Sequence, residues 1–217
     1  MPARRKISIA ALAVWICSLL LLLGAWQKWL PIDLTESFGF VTGAVCVWLV
    51  TRGNIWNWPV GIANNIFFAI LFFKARLYAD LGLQGVYLIM GVYGWWFWLR
   101  GGPRESRLPV SRTSRREWLV IGGFILLGTF GLRHLLIAIN GAAPFWDALT
   151  TILCLAAQYL LCRKRLENWF LWIAADIIYV PLFLSRNLPL TALLYAGFLA
   201  LCIHGLRKWK SELPAPA

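Results

Sequence analysis

Charge is scarce in this 217-residue sequence, and acidic charge is scarcest, with nine Asp and Glu against 21 Lys and Arg. Only 14% of residues are charged and 60% are hydrophobic, a balance outside the range of soluble domains. The alternating apolar/polar pattern of an outer-membrane barrel is missing, which excludes strands as the spanning element. There is no P-loop, no GxSxG, no HExxH and no cysteine–histidine cluster, so nothing couples to ATP, builds a nucleophile or holds a metal. The sequence therefore reads as no enzyme and calls for no cofactor. The five cysteines, Cys17, Cys46, Cys154, Cys162 and Cys202, form no CxxC pair and read as small apolar fillers.

What the chain does have is long apolar runs broken by short clusters of Arg, Lys, Gly and Pro. A membrane helix needs about 20 apolar residues, fewer where flanking residues snorkel. The runs predict spans at 7–26, 37–51, 58–73, 80–99, 117–139, 147–162, 169–184 and 190–207. Residues 7–26 read as a retained helix and not a signal peptide, since the run is long and no small-x-small site precedes Trp26. With the N-terminus inside, sixteen basic residues fall on the cytoplasmic side and five opposite, so the positive-inside rule places both termini in the cytoplasm. The +12 net charge is thus topology, and nucleic-acid binding has no basic soluble module to carry it. His134 and His204 fall near opposite faces, which rules against paired haem ligation.

One segment occurs twice. Residues 37–98 shifted by 111 fall on 148–209 without a gap. Arg52 meets Arg163, Asn57 meets Asn168, Trp58 meets Trp169, Gly94 meets Gly205 and Trp98 meets Trp209. The predicted organisation is an all-α membrane protein of two parallel three-helix repeats joined by a linker helix, with an additional N-terminal transmembrane helix. Its segments are 1–36, a first bundle 37–99, a basic loop and linker helix 100–147, a second bundle 148–209 and a cytoplasmic tail 210–217. The linker restores the orientation that an odd number of helices would invert, and a site between the halves is the common plan of carriers.

Polar groups inside apolar spans are costly, so they mark candidate sites. Seven residues separate Trp58 from Asn65 and Trp169 from Asp176, two helical turns, which puts each pair on one face with Asn65 and Asp176 about 10 Å into the membrane. Trp172 shares that face, and Asn65 and Asp176 are repeat-equivalent. Asp176 needs a partner or water at such depth. Gln84 and Tyr195, also repeat-equivalent, are secondary pocket candidates, with Tyr87 one turn on from Gln84. Asn57 and Asn168, matched at the start of the same helices, complete the candidate substrate-binding set. Pro181 is expected to kink its helix. Trp26, Trp29, Trp95, Trp96, Trp98, Trp118, Trp146 and Trp209 read as belt anchors at the membrane interface.

The stretches WNWPVGIANNIFFAILFFKARLYADLGLQGVYLIMGVYGWWFW and ENWFLWIAADIIYVPLFL resemble the bacterial nicotinamide riboside transporters of the Pnu vitamin-transporter family. That family's Trp-x-x-Trp-x-x-x-Asn/Asp pattern matches Trp169, Trp172 and Asp176. The resemblance implies a fold similar to the sugar carriers called SWEETs, facilitated diffusion of the vitamin precursor across the bacterial inner membrane, and a homotrimer. The extra N-terminal helix departs from many relatives. Such a substrate carries a flat cationic ring and a ribose: Trp faces would hold the ring by stacking and cation–π attraction. Asp176 would balance charge or bond hydroxyls, and Asn65 would bond ribose or carboxamide. Thiamine or riboflavin is the sister reading, and a membrane-embedded redox enzyme the remote one.

Overall fold

A computed structural model describes residues 34–74, 76, 78–102, 108–140, 143–187 and 189–213, with Gly24 and Gln27. The predicted N-terminal span at 7–26 lies outside the described residues apart from Gly24. The described chain is helical: α1 Leu34–Thr51, α2 Asn57–Lys74, α3 Tyr78–Arg100, α4 Arg115–Ala138, α5 Pro144–Cys162, α6 Asn168–Ser185 and α7 Pro189–Ser211. These limits lie within three residues of the predicted spans for α1 to α6 and four for α7. By length and composition alone, α4, α5 and α6 are apolar enough to cross a bilayer. The outer surface agrees, since Leu119, Val120 and Leu127 of α4 are each more than 70% exposed, a waste of apolar area unless lipid covers them.

Local chemistry sets the helix ends. Ser114 caps α4 by accepting from the Glu117 N–H at 3.2 Å, and Pro144 opens α5 where no N–H is needed. The α1–α2 turn bends through Gly53 at φ 58°, and its counterpart, the α5–α6 turn, bends through Lys164 at φ 52°. Arg76 and Asn187, after α2 and α6, repeat the pattern at φ 60° and 57°. The offset of 111 thus recurs in the backbone as well as the sequence.

Packing follows the same offset. Within each half, α1 packs on α2 and α2 on α3, as α5 does on α6 and α6 on α7. Between halves the partners exchange: α1 packs on α7 and α5 on α3, the arrangement an approximate twofold axis produces. The linker α4 packs on α5. Its preceding loop is tied to the α5–α6 turn: Ser111 N–H donates to the Lys164 carbonyl at 3.2 Å, and buried Glu167 accepts from Thr113 N–H and Oγ1, both at 2.8 Å. Arg165 adds a hydrogen bond to Ser111 Oγ at 2.8 Å and a salt bridge to Glu117 Oε2 at 3.1 Å.

Two of the expected belt tryptophans are core residues. Trp98 and Trp209 are buried, whereas Trp95, Trp96, Trp118 and Trp146 are exposed. An indole at a helix end suits either place, because its ring is apolar and its N–H polar. Here the N–H finds a main-chain acceptor inside the protein. Pro181 sits within α6 without ending it.

Candidate functional site

A cavity of about 370 Å³ lies between the halves. From the first half come Gly43, Cys46, Val47 and Val50 of α1, Gly61, Asn64 and Asn65 of α2, and Tyr87 of α3. From the second come Cys154, Gln158 and Leu161 of α5, Trp169, Trp172, Asp176 and Tyr179 of α6, and Tyr195, Phe198 and Cys202 of α7. Six pairs of equivalent positions contribute from both sides: 43 with 154, 47 with 158, 50 with 161, 61 with 172, 65 with 176, and 87 with 198. The cavity therefore straddles the pseudo-twofold axis. In each of those pairs the residue types differ, so the wall is chemically lopsided.

The second half supplies the aromatic and acidic surface. Tyr179 and Tyr195 have ring centroids 4.7 Å apart, and Phe198 meets Tyr195 edge-on at 5.7 Å. Asp176 is buried, and its Oδ2 has no hydrogen-bond partner among the described residues. Trp169 Nε1 is likewise buried without a partner. A buried acceptor and a buried donor left open in the wall of one cavity are groups that a polar ligand or water would satisfy. In the first half, Asn64 Nδ2 donates to Thr42 Oγ1, and that hydroxyl donates to the Phe38 carbonyl at 2.7 Å, which fixes the amide from behind.

Of the residues singled out from sequence, Asn65, Trp169, Trp172, Asp176 and Tyr195 meet in this cavity. Four others are placed elsewhere. Trp58 is buried against Gly94, where an added Cβ would stand 2.2 Å from the indole, and packs edge-on against Trp98 at 5.4 Å. Asn57 and Asn168 close the turns that precede their helices, their Nδ2 donating to the carbonyls of Asn54 at 2.7 Å and Arg165 at 2.5 Å. Gln84 lies outside the wall, with its Oε1 buried and unpaired among the described residues. Gln158, Asn64 and the thiols of Cys46, Cys154 and Cys202 join the wall although sequence reasoning left them out. Gln158 carried a usable signal, a lone amide in an apolar helix. Its repeat partner is Val47, so a search for matched polar positions passes over it.

Comparison with known proteins converges on one family. The family model for the nicotinamide mononucleotide transporter matches residues 33–211. The nicotinamide riboside transporter PnuC of Escherichia coli is 26% identical over 202 residues, covering 80% of this chain and 84% of that protein. The riboflavin/roseoflavin transporter RibM of Streptomyces davaonensis is 28% identical over 182 residues, covering 81% of this chain and 84% of that one. The crystal structure of the vitamin B3 transporter PnuC superposes with a TM-score of 0.68 at 24% identity, covering 92% of this chain and 91% of that one.

Proposed function

The chain belongs to the nicotinamide mononucleotide transporter family, and we propose that within it this protein carries nicotinamide riboside across the bacterial inner membrane, binding it in the cavity between the two halves. The observation that carries this reading is the lopsided wall. Trp172 faces the axis from one half where the other half has Gly61. An indole in the wall on one side, with no side chain at the equivalent position on the other, suits a planar ring. A cationic pyridinium on an indole face gains about 2 kcal/mol when desolvated. Asp176, with Oδ2 unpaired, supplies the balancing charge or an acceptor for ribose hydroxyls, and Asn65 and Gln158 supply amides for the rest.

The wall also discriminates by what it lacks. No Lys or Arg is among the described residues lining the cavity. A phosphate would enter without a cation to pair with, so the nucleoside is preferred over the mononucleotide. We assign facilitated diffusion by rocking of the halves about the cavity and a homotrimeric assembly, as the family resemblance implies, with both termini cytoplasmic, as the charge asymmetry suggests. The extra N-terminal segment precedes the matched region, which begins at residue 33.

Uptake into proteoliposomes with labelled vitamins tests the reading. Nicotinamide riboside should equilibrate without accumulating and without dependence on a pH gradient, and the mononucleotide should not enter. The likeness to a riboflavin transporter makes riboflavin the second substrate to try, with thiamine third. Uptake of either in place of nicotinamide riboside refutes the substrate assignment, and accumulation driven by a pH gradient refutes uniport.

A further inference from the structure

Two indoles stitch the halves together at one end of the cavity. Trp98 and Trp209 are repeat-equivalent, buried, and sit near the ends of α3 and α7. Trp98 Nε1 donates to the Leu161 carbonyl at 3.0 Å, and Trp209 Nε1 donates to the Val50 carbonyl at 3.1 Å. Leu161 and Val50 are themselves equivalent, lie in the last turn of α5 and α1, and line the cavity. Each bond therefore runs from one half to the other.

Each acceptor is a carbonyl at the negative end of a helix, which strengthens its hold on an N–H. Each also accepts the main-chain N–H of the turn residue three on, Lys164 at 2.9 Å and Gly53 at 2.8 Å. The four rings run in series across the axis, with centroid separations of 5.4 Å from Trp58 to Trp98, 5.9 Å from Trp98 to Trp209, and 5.4 Å from Trp209 to Trp169. The two turns also meet there, since a methyl added to Gly53 would stand 3.7 Å from Lys164 Nζ. The rings, the indole bonds and the turns hold the two halves in contact at this end. Motion of the halves that opened it would have to break both indole bonds, whereas the bonds within each half would survive.

We infer that the Trp98–Leu161 and Trp209–Val50 bonds form a paired latch, which holds the cavity shut at the α1–α2 and α5–α6 turns and is released when substrate passes that side. The two indoles act by positioning the halves, without touching substrate. This inference rests on the carrier reading above, with the binding wall formed by other residues.

Trp98→Phe and Trp209→Phe, singly and together, keep a ring and remove the donor. An impermeant thiosulfonate reagent is applied to one face of oriented membrane vesicles, and peptide mass mapping reads the labelling of Cys46, Cys154 and Cys202 in the cavity wall. The expected result is labelling roughly fivefold faster per lost N–H from one face only, with the other face unchanged. Unchanged labelling from both faces, or an equal rise from both, overturns the latch. Should the double variant fail to fold, the single variants carry the same test. Calorimetry with nicotinamide riboside separates the two claims, because latch variants should keep the wild-type affinity. Loss of affinity like that of Asp176→Ala would put the indoles in the binding site and overturn the latch. A wild-type protein that binds no nicotinamide riboside, with variants that still give the expected labelling, would remove the vitamin assignment and leave the latch standing.

Discussion

In the first half Trp58 lies against Gly94 and meets Trp98 edge-on at 5.4 Å; in the second, Trp169 lies against Gly205 and meets Trp209 edge-on at 5.4 Å. The turns before these tryptophans close through the same asparagine-to-carbonyl bond. Three to seven residues further along the same helices the likeness stops: Gly61 is the equivalent of Trp172 and Asn65 of Asp176, and on the preceding helices Val47 is the equivalent of Gln158. A symmetric frame thus holds an asymmetric wall. The physical reason is that two packed triplets need the same interlocking contacts, whereas a ligand with a charged ring at one end and a sugar at the other has no twofold symmetry to match.

The comparison breaks most visibly at the wall. Asp176→Ala and Trp172→Ala should each weaken nicotinamide riboside binding about 30-fold or more by calorimetry, with the fold intact. Asn65→Ala, at the equivalent of Asp176, should cost only about fivefold. Equal losses on the two sides would erase the asymmetry.

The frame should instead answer symmetrically. A Cβ at Gly94 would stand 2.2 Å from the Trp58 ring and one at Gly205 2.5 Å from the Trp169 ring. Gly94→Ala and Gly205→Ala should each destabilise by about 1–3 kcal/mol through overpacking, read as a lower Tm in detergent. A neutral result in one half would show that the frames differ.

Two smaller effects sharpen the picture. Gln158→Leu should reduce affinity about fivefold and leave Tm unchanged, as expected of one ligand hydrogen bond. An unaltered affinity would make Gln158 mere wall. Smallest of all, Asp147→Asn removes the partly exposed pair with Arg186, 3.2 Å apart, whose arginine corresponds to Ala75 in the first half. Its cost should stay under about 1 kcal/mol and vanish in high salt.

The helices were legible because apolar runs and their basic breaks record the bilayer directly, and the 111-residue offset exposed the repeat before any coordinates. The site was legible only in part, for a reason the halves make plain. Asn57/Asn168 and Trp58/Trp169 drew notice because they are identical, yet identity across a repeat marks the shared frame; of those four, only Trp169 reaches the cavity. Positions that differ, such as Gly61/Trp172 and Val47/Gln158, carry the wall. Trp98 and Trp209 were misplaced at the interface because the sequence cannot say whether an indole N–H near a helix end bonds to water or to a carbonyl across the axis.

The central claim is that the space between the halves is the vitamin's seat. An experimental structure solved with nicotinamide riboside tests it most directly. The account predicts the pyridinium stacked on Trp172 over Gly61, with Asp176 Oδ2 in hydrogen-bond contact. Ligand bound elsewhere, or an Asp176 carboxylate that still meets nothing, would contradict it.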